Sequence, residues 1–266
     1  MAKRVQSPSS IKTFKQCPRK YYYSYILKLP QEPNVHQVRG NIAHSVLETF
    51  FDVDTSMVSL ENYETHLKII IQKLLLKEWS EYRKELDKVK LTKEQEMHYF
   101  EDTMMMLFNW TDLFCTKIKK KKGTFQERFK ELTPMRELRF VSDKYSVQGY
   151  IDAIENHDGH IRLMDYKTSR NEDINEHLLQ LGIYSLLYQE KHGVLPKYVG
   201  VYFLKGQESQ LEVDEELLEL AKKEIIHIHE HTQTEDIHNY PKQTGPLCKW
   251  STGKCDFFDV CRPFEK

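Results

Sequence analysis

The stretch that decides the fold is GYIDAIENHDGHIRLMDYKT, Gly149 to Thr168. Apolar and polar residues alternate on both sides of Asp158-Gly159, a dipeptide suited to a two-residue hairpin turn, so two antiparallel strands are expected. Side chains alternate across a strand, which puts Asp165 and Lys167 on the face of Ile161 and Leu163. An apolar face thus ends in a carboxylate and an ammonium. Asp152 lies on the partner strand, within register range of both. Two carboxylates and a lysine meeting at a sheet edge offer hard oxygen ligands to Mg²⁺ or Mn²⁺ and a cation to steady a water-derived nucleophile. Taken alone, the same residues also describe an ordinary strand salt bridge with Asp152 as a turn or surface carboxylate.

Working outward, Met135, Glu137 and Arg139 alternate with Arg136, Leu138 and Phe140, and Ser142 to Lys144 read as a turn, which adds a third strand. Downstream, a helix is expected over about Ile174–His192, stopped by Gly193, then a strand from Tyr198 to Leu204 and a helix over about Asp214–His231. Upstream, Ser7-Pro8 announces a helix carrying Ile11, Phe14 and Cys17. A second helix is expected after Gly40, from Asn41 to Phe51, with His44 and Glu48 four apart on one face. Between them and the strands, roughly residues 60–130 read as a helical insertion, with a capping box at Thr92 and Gln95 and a lysine run from Lys117 to Lys122. That run fits either a solvated helix end or a phosphate contact.

Lys plus Arg total 39 against 40 Asp plus Glu, so the chain does not advertise nucleic acid through net charge, though a neutral average can hide a basic groove. The 266 residues are 39% hydrophobic and 12% aromatic, enough for a real core and against wholesale disorder. No apolar run approaches the roughly 18 residues of a membrane span, and Met1 to Ser10 lacks the apolar stretch of an export signal, so a cytosolic location without membrane contact is expected. In that setting five cysteines favour metal or cluster ligation over disulfides.

The motifs in order resemble the PD-(D/E)XK nuclease superfamily, and within it the RecB-type nucleases, including CRISPR-associated RecB-like exonucleases. The residues that carry this are CPRKYY from Cys17, GNIAHSVLE from Gly40, GYID from Gly149, DYKT from Asp165 and QLGIY from Gln180. The resemblance runs from Ser7 to Cys261 apart from the insertion, although Ile151 stands where the superfamily name has proline. It implies an α/β fold: a restriction-endonuclease-like mixed sheet flanked by helices, in a single domain over 1–266.

By the same resemblance Asp152, Asp165 and His44 hold a Mg²⁺ or Mn²⁺ ion, with the Tyr166 carbonyl a further ligand and Lys167 the catalytic lysine. Glu137 would order ion-bound water, or else be a solvated strand residue. Gln180 and Tyr184 would hold a DNA strand, or else pack on the sheet, and Arg19 and Lys20 would join the DNA contacts. The implied activity is exonucleolytic hydrolysis of DNA with a single-stranded end, leaving a 5′-phosphate, in repair, recombination or CRISPR adaptation beside helicase or adaptation proteins. A non-cleaving DNA-binding adaptor and a structure-specific endonuclease are the alternatives.

Cys17 near one end and Cys248, Cys255 and Cys261 near the other suit a [4Fe-4S] cluster or a Cys₄ zinc site. Such a site would pack the cysteine-rich tail, residues 241–266, onto the Cys17 region. Iron-sulfur RecB-type nucleases resemble this spacing, but Ser251, Thr252, Gly253 and Lys254 lengthen the interval between Cys248 and Cys255. Cys115 reads as a buried thiol. His227, His229, His231 and His238 read as a solvated histidine-rich face.

Overall fold

A computed structural model describes residues 4–251 and 253–264. Five strands form one sheet in sequence order: β1 (Met135–Ser142), β2 (Val147–His157), β3 (His160–Lys167), β4 (Tyr198–Phe203) and β5 (Glu208–Glu212). All neighbours are antiparallel except β3 and β4, whose parallel pairing needs the crossover helix α8 (Leu178–His192). Asp158 (φ 51) and Gly159 (φ 81) both take left-handed conformations, which is why this dipeptide closes the β2–β3 hairpin. The sheet is mixed and helix-covered, as expected; β5 is an element that its polar ESQLE sequence concealed.

Side-chain alternation sends Leu163, Val199, Val201 and Phe203 to one face, covered by α1 (Pro8–Gln16), α8 and α9 (Glu215–His231). Met164, Tyr166 and Tyr202 go to the other face, under α3 (Val35–Phe50), α4 (Tyr63–Glu81), α6 (Lys93–Lys120) and α7 (Phe125–Leu132). Helix α3 begins earlier than its sequence suggested. The Asn34 side chain caps it by accepting from the Gln37 N–H, so Gly40 lies inside the helix rather than before it. Helix α6 does start from the Thr92 and Gln95 capping box. Its far end is largely neutralised: Lys117 pairs with Glu208, Lys119 with Glu64 and Lys121 with Glu131.

Buried polar ties cross the sheet and join helices to it. Arg162, 1% exposed, lies among Glu155, Glu208, Gln210 and the Tyr202 hydroxyl. Asp102 of α6 joins Arg39 of α3 to Lys205 after β4. Cys115 is buried in α6, and burial pushes its thiol up to about 12, so it is an inert packing group. The histidines are not a uniformly solvated face. His229 is buried with Nε2 against the Tyr145 carbonyl, and His227 and His231 pack on Phe14. Among the described residues, no helix is long and apolar enough to cross a membrane.

Candidate active site

The site forms where two strands part. The β2–β3 ladder stops at Ala153 opposite Met164; beyond it β2 continues beside β1 as far as Val147, where Gln6 also bridges to it, and β3 continues beside β4 as far as Lys167. Parting leaves the Tyr166 N–H without a strand partner, and it donates to Asp152 Oδ2 at 2.7 Å. A backbone donor in that position favours the ionised carboxylate and fixes its orientation. Asp152 and Asp165 are only 6% and 2% exposed.

Glu137 lies opposite Asp152, between the Arg136–Ala153 and Leu138–Ile151 pairs. It takes φ 47 in mid-strand, a left-handed conformation that costs a non-glycine residue about 1–3 kcal/mol. Facing carboxylates on adjacent strands add repulsion. Local strain and like charge at one point are a signature of function rather than of folding. The twist carries the Glu137 carboxylate to His44 Nδ1 at 3.6 Å, and Asp152 Oδ2 stands 3.5 Å from the same nitrogen.

His44 reaches this point because α3 holds it over the end of β3. Its Nε2 lies 3.1 Å from the Tyr166 carbonyl. With Nε2–H donating there, Nδ1 faces the carboxylates, and it is the nitrogen that would bind a cation once its proton has left. The Tyr166 carbonyl, expected as a ligand, is thus engaged in orienting His44. Burial opposes charge on His44, but Asp152, Glu137 and Asp165 outweigh it and raise the imidazole to about 9. Burial, then the Asp165 charge, raises Asp152 to about 7.

One donor atom each from His44, Glu137 and Asp152 lies within 4.8 Å of the others, the one such metal-capable group among the described residues. Adjacent ligands of an octahedral ion at 2.0–2.1 Å stand about 3.0 Å apart, so the 3.5 and 3.6 Å gaps need close by about half an ångström. An imidazole with two carboxylates fits a hard divalent cation. Glu137, expected in a supporting role, stands at ligand distance, whereas Asp165 lies outside the triplet.

Asp165 instead faces the α8 side. Its Oδ2 is 2.5 Å from the Lys167 ammonium, and its Oδ1 accepts from Gln180 Nε2 at 2.7 Å. Gln180 also reaches the Tyr184 hydroxyl at 2.6 Å, so both residues orient this carboxylate. A Cβ on Gly149 would come within 3.0 Å of Tyr184 Cε1; the glycine makes room for that ring beside β2. Burial opposes the charge on Lys167, and Asp165 restores it and raises its pKa. Two open clefts flank the centre, one bounded by Glu137 and His44 and the other by Lys167 and Gln180.

Arg19 and Lys20 are elsewhere. The turn at Cys17-Pro18 starts helix α2 (Pro18–Tyr21) in a new direction, and Arg19 Nε donates to the Tyr240 carbonyl at 2.6 Å. Lys20 lines a small cavity of about 50 Å³ with Cys17, Cys248, Cys255 and Cys261. Both therefore serve the junction with the tail, not the carboxylate site. Among the described residues no three cysteine sulfurs come within 4.8 Å of one another, whereas tetrahedral zinc with Zn–S near 2.3 Å holds its sulfurs about 3.8 Å apart. Thr252, in the lengthened interval, lies outside the described residues.

A histidine and two carboxylates that could hold a divalent cation stand where two strands part, with a lysine alongside, the donor set of a hydrolytic class of site. The sequence profile of the PD-(D/E)XK nuclease superfamily matches residues 6–262, and the chain belongs to that superfamily. It is 33% identical over 137 residues to the Gene 69 protein of Mycobacterium phage D29, covering 48% of this chain; the chain spans about 46% of that relative's length. The fold is also that of a solved protein from Eubacterium rectale named "Putative exonuclease", with a TM-score of 0.54 and 10% identity over 98% of this chain and 93% of that one.

Proposed function

We propose that the protein is a metal-dependent nuclease that hydrolyses DNA from a single-stranded end. The observation that carries this is the His44, Glu137 and Asp152 triplet beside the Asp165–Lys167 pair. A divalent cation bound there would neutralise phosphate charge and acidify its water. Asp152 and Glu137 supply its negative ligands, and His44 supplies a neutral nitrogen once its proton has left. Lys167 stays charged, so it is a hydrogen-bond donor to the oxygens of the reacting phosphate and nucleophile rather than a proton acceptor. Asp165 holds that ammonium in place, and Gln180 with Tyr184 holds Asp165. The products would carry a 5′-phosphate and a 3′-hydroxyl.

The Cys17, Cys248, Cys255 and Cys261 cavity is read as the seat of a [4Fe-4S] cluster that joins the tail to the first helices. Four cysteines brought to one cavity from opposite ends of the chain support a shared cofactor there. Iron and acid-labile sulfide in anaerobically purified protein support it; stoichiometric zinc without iron refutes it.

Digestion of end-labelled linear and closed circular single strands in Mn²⁺ tests the nuclease. Progressive shortening of the linear strand, absent in Asp152→Ala and Lys167→Ala, is the expected result. Equal cutting of circles would make the enzyme an endonuclease, and binding without cleavage would make it an adaptor.

A further inference from the structure

The two clefts differ in charge. The first, about 420 Å³, is bounded by Gln37, Asn41, Ser45, Glu48 and Tyr82 around His44 and Glu137, with no lysine or arginine among its described lining residues. The second, about 990 Å³, runs from Lys167 and Gln180 along α1, past Ser9, Lys12 and Thr13, and is closed on its other side by Asn171 and Asn175. Its lysines are Lys12, Lys15 and Lys167, against the single carboxylate of Glu176. Lys15 is turned to Glu224 at 2.6 Å and Lys167 to Asp165. Lys12 is exposed and forms no ion pair among the described residues. It lines the same cleft as Lys167 and His177, a buried imidazole whose pKa is lowered by burial and by the charges of these two lysines.

A phosphodiester chain approaching the metal centre meets two carboxylates through the first mouth and cations with hydroxyl and amide donors through the second. We propose that the strand being cut lies in the α1 cleft, with Lys12 taking a backbone phosphate beside the one at Lys167, while the Glu48 and Glu137 mouth admits the cation and water. This rests on the nuclease reading and adds to it a direction of approach. The ammonium of Lys12 suits a phosphate, so its contact is independent of sequence.

The test adds Lys12→Glu to an Asp165→Asn background, which stops turnover, and measures binding of a fluorescein-labelled 20-nucleotide oligothymidylate in Mn²⁺ across a salt series. Lys73→Glu, the same charge change at an exposed position of α4, is the control. Lys12→Glu should weaken binding roughly fivefold or more and lower the salt slope by about 0.7, the share of one single-strand phosphate contact. In the wild-type background it should raise KM. Binding and slope equal to those of Lys73→Glu overturn the cleft, whether or not the protein cleaves. Lys12-dependent binding by a wild-type protein that never cleaves keeps the cleft and removes the nuclease instead.

Discussion

Metal binding should expel protons, by an amount that follows from the site. In the ion-free protein at pH 6 the pair holds more than one proton: His44 is raised to about 9 and Asp152 to about 7, and because each shift depends on the other's charge they titrate together. A cation needs the lone pair of the first and the charge of the second, so it must displace both. For each group the fraction available grows as pH climbs towards its pKa. Because the two shifts share one interaction they do not multiply, and between pH 6 and pH 8 the pair gives roughly a hundredfold gain in apparent affinity. Calorimetric titration of Mn²⁺ in buffers of different ionisation enthalpy reads both the affinity and the protons released, more than one at pH 6 and fewer at pH 8. His44→Asn should remove the larger share of the pH dependence and leave that of the carboxyl. An affinity changing less than tenfold over this range, with no proton release, would refute the charge coupling described for the triplet.

Glu137→Gly relieves a left-handed backbone and a like-charge contact, so it should raise the unfolding free energy of the metal-free protein by about 1 kcal/mol while weakening Mn²⁺ binding; a less stable variant in urea denaturation would count against strain at this residue. Gly149→Ala brings a methyl group against the Tyr184 ring, and through it should shift Asp165 and slow cleavage roughly tenfold without altering Mn²⁺ affinity. Equal losses in both would place Tyr184 in the metal triplet instead. Arg162→Met strands the Glu155 and Glu208 carboxylates and should cost about 3 kcal/mol in urea denaturation. An unchanged midpoint would mean that Lys117 alone satisfies both.

Much of the architecture was legible because it depends on local periodicity. The alternation around Asp158-Gly159 set the hairpin, Gly193 ended α8 in a left-handed cap, and Thr92 with Gln95 capped α6. Asp152, Asp165, Lys167 and His44 were nameable for the same reason: their order along the chain survives in the motifs. The start of α3 was misread because Gly40 looks like a stop, while the hydrogen bond that begins the helix belongs to Asn34.

Who touches whom is a different matter. Period two predicts that Glu137 continues the alternation of its strand, and only the left-handed twist opposite Asp152 brings its carboxylate to His44. Arg19 and Lys20 look like DNA contacts in a string of cations and tyrosines; the chain reversal at Cys17-Pro18 gives them to the tail. The sequence by itself determined which chemistry is present and on which elements it rides, since those follow from residue type and spacing. The parting of β2 from β3, the strained glutamate and the two differently lined mouths were decided by tertiary structure, because each arises from contacts between segments far apart in the chain, where local propensity carries no information.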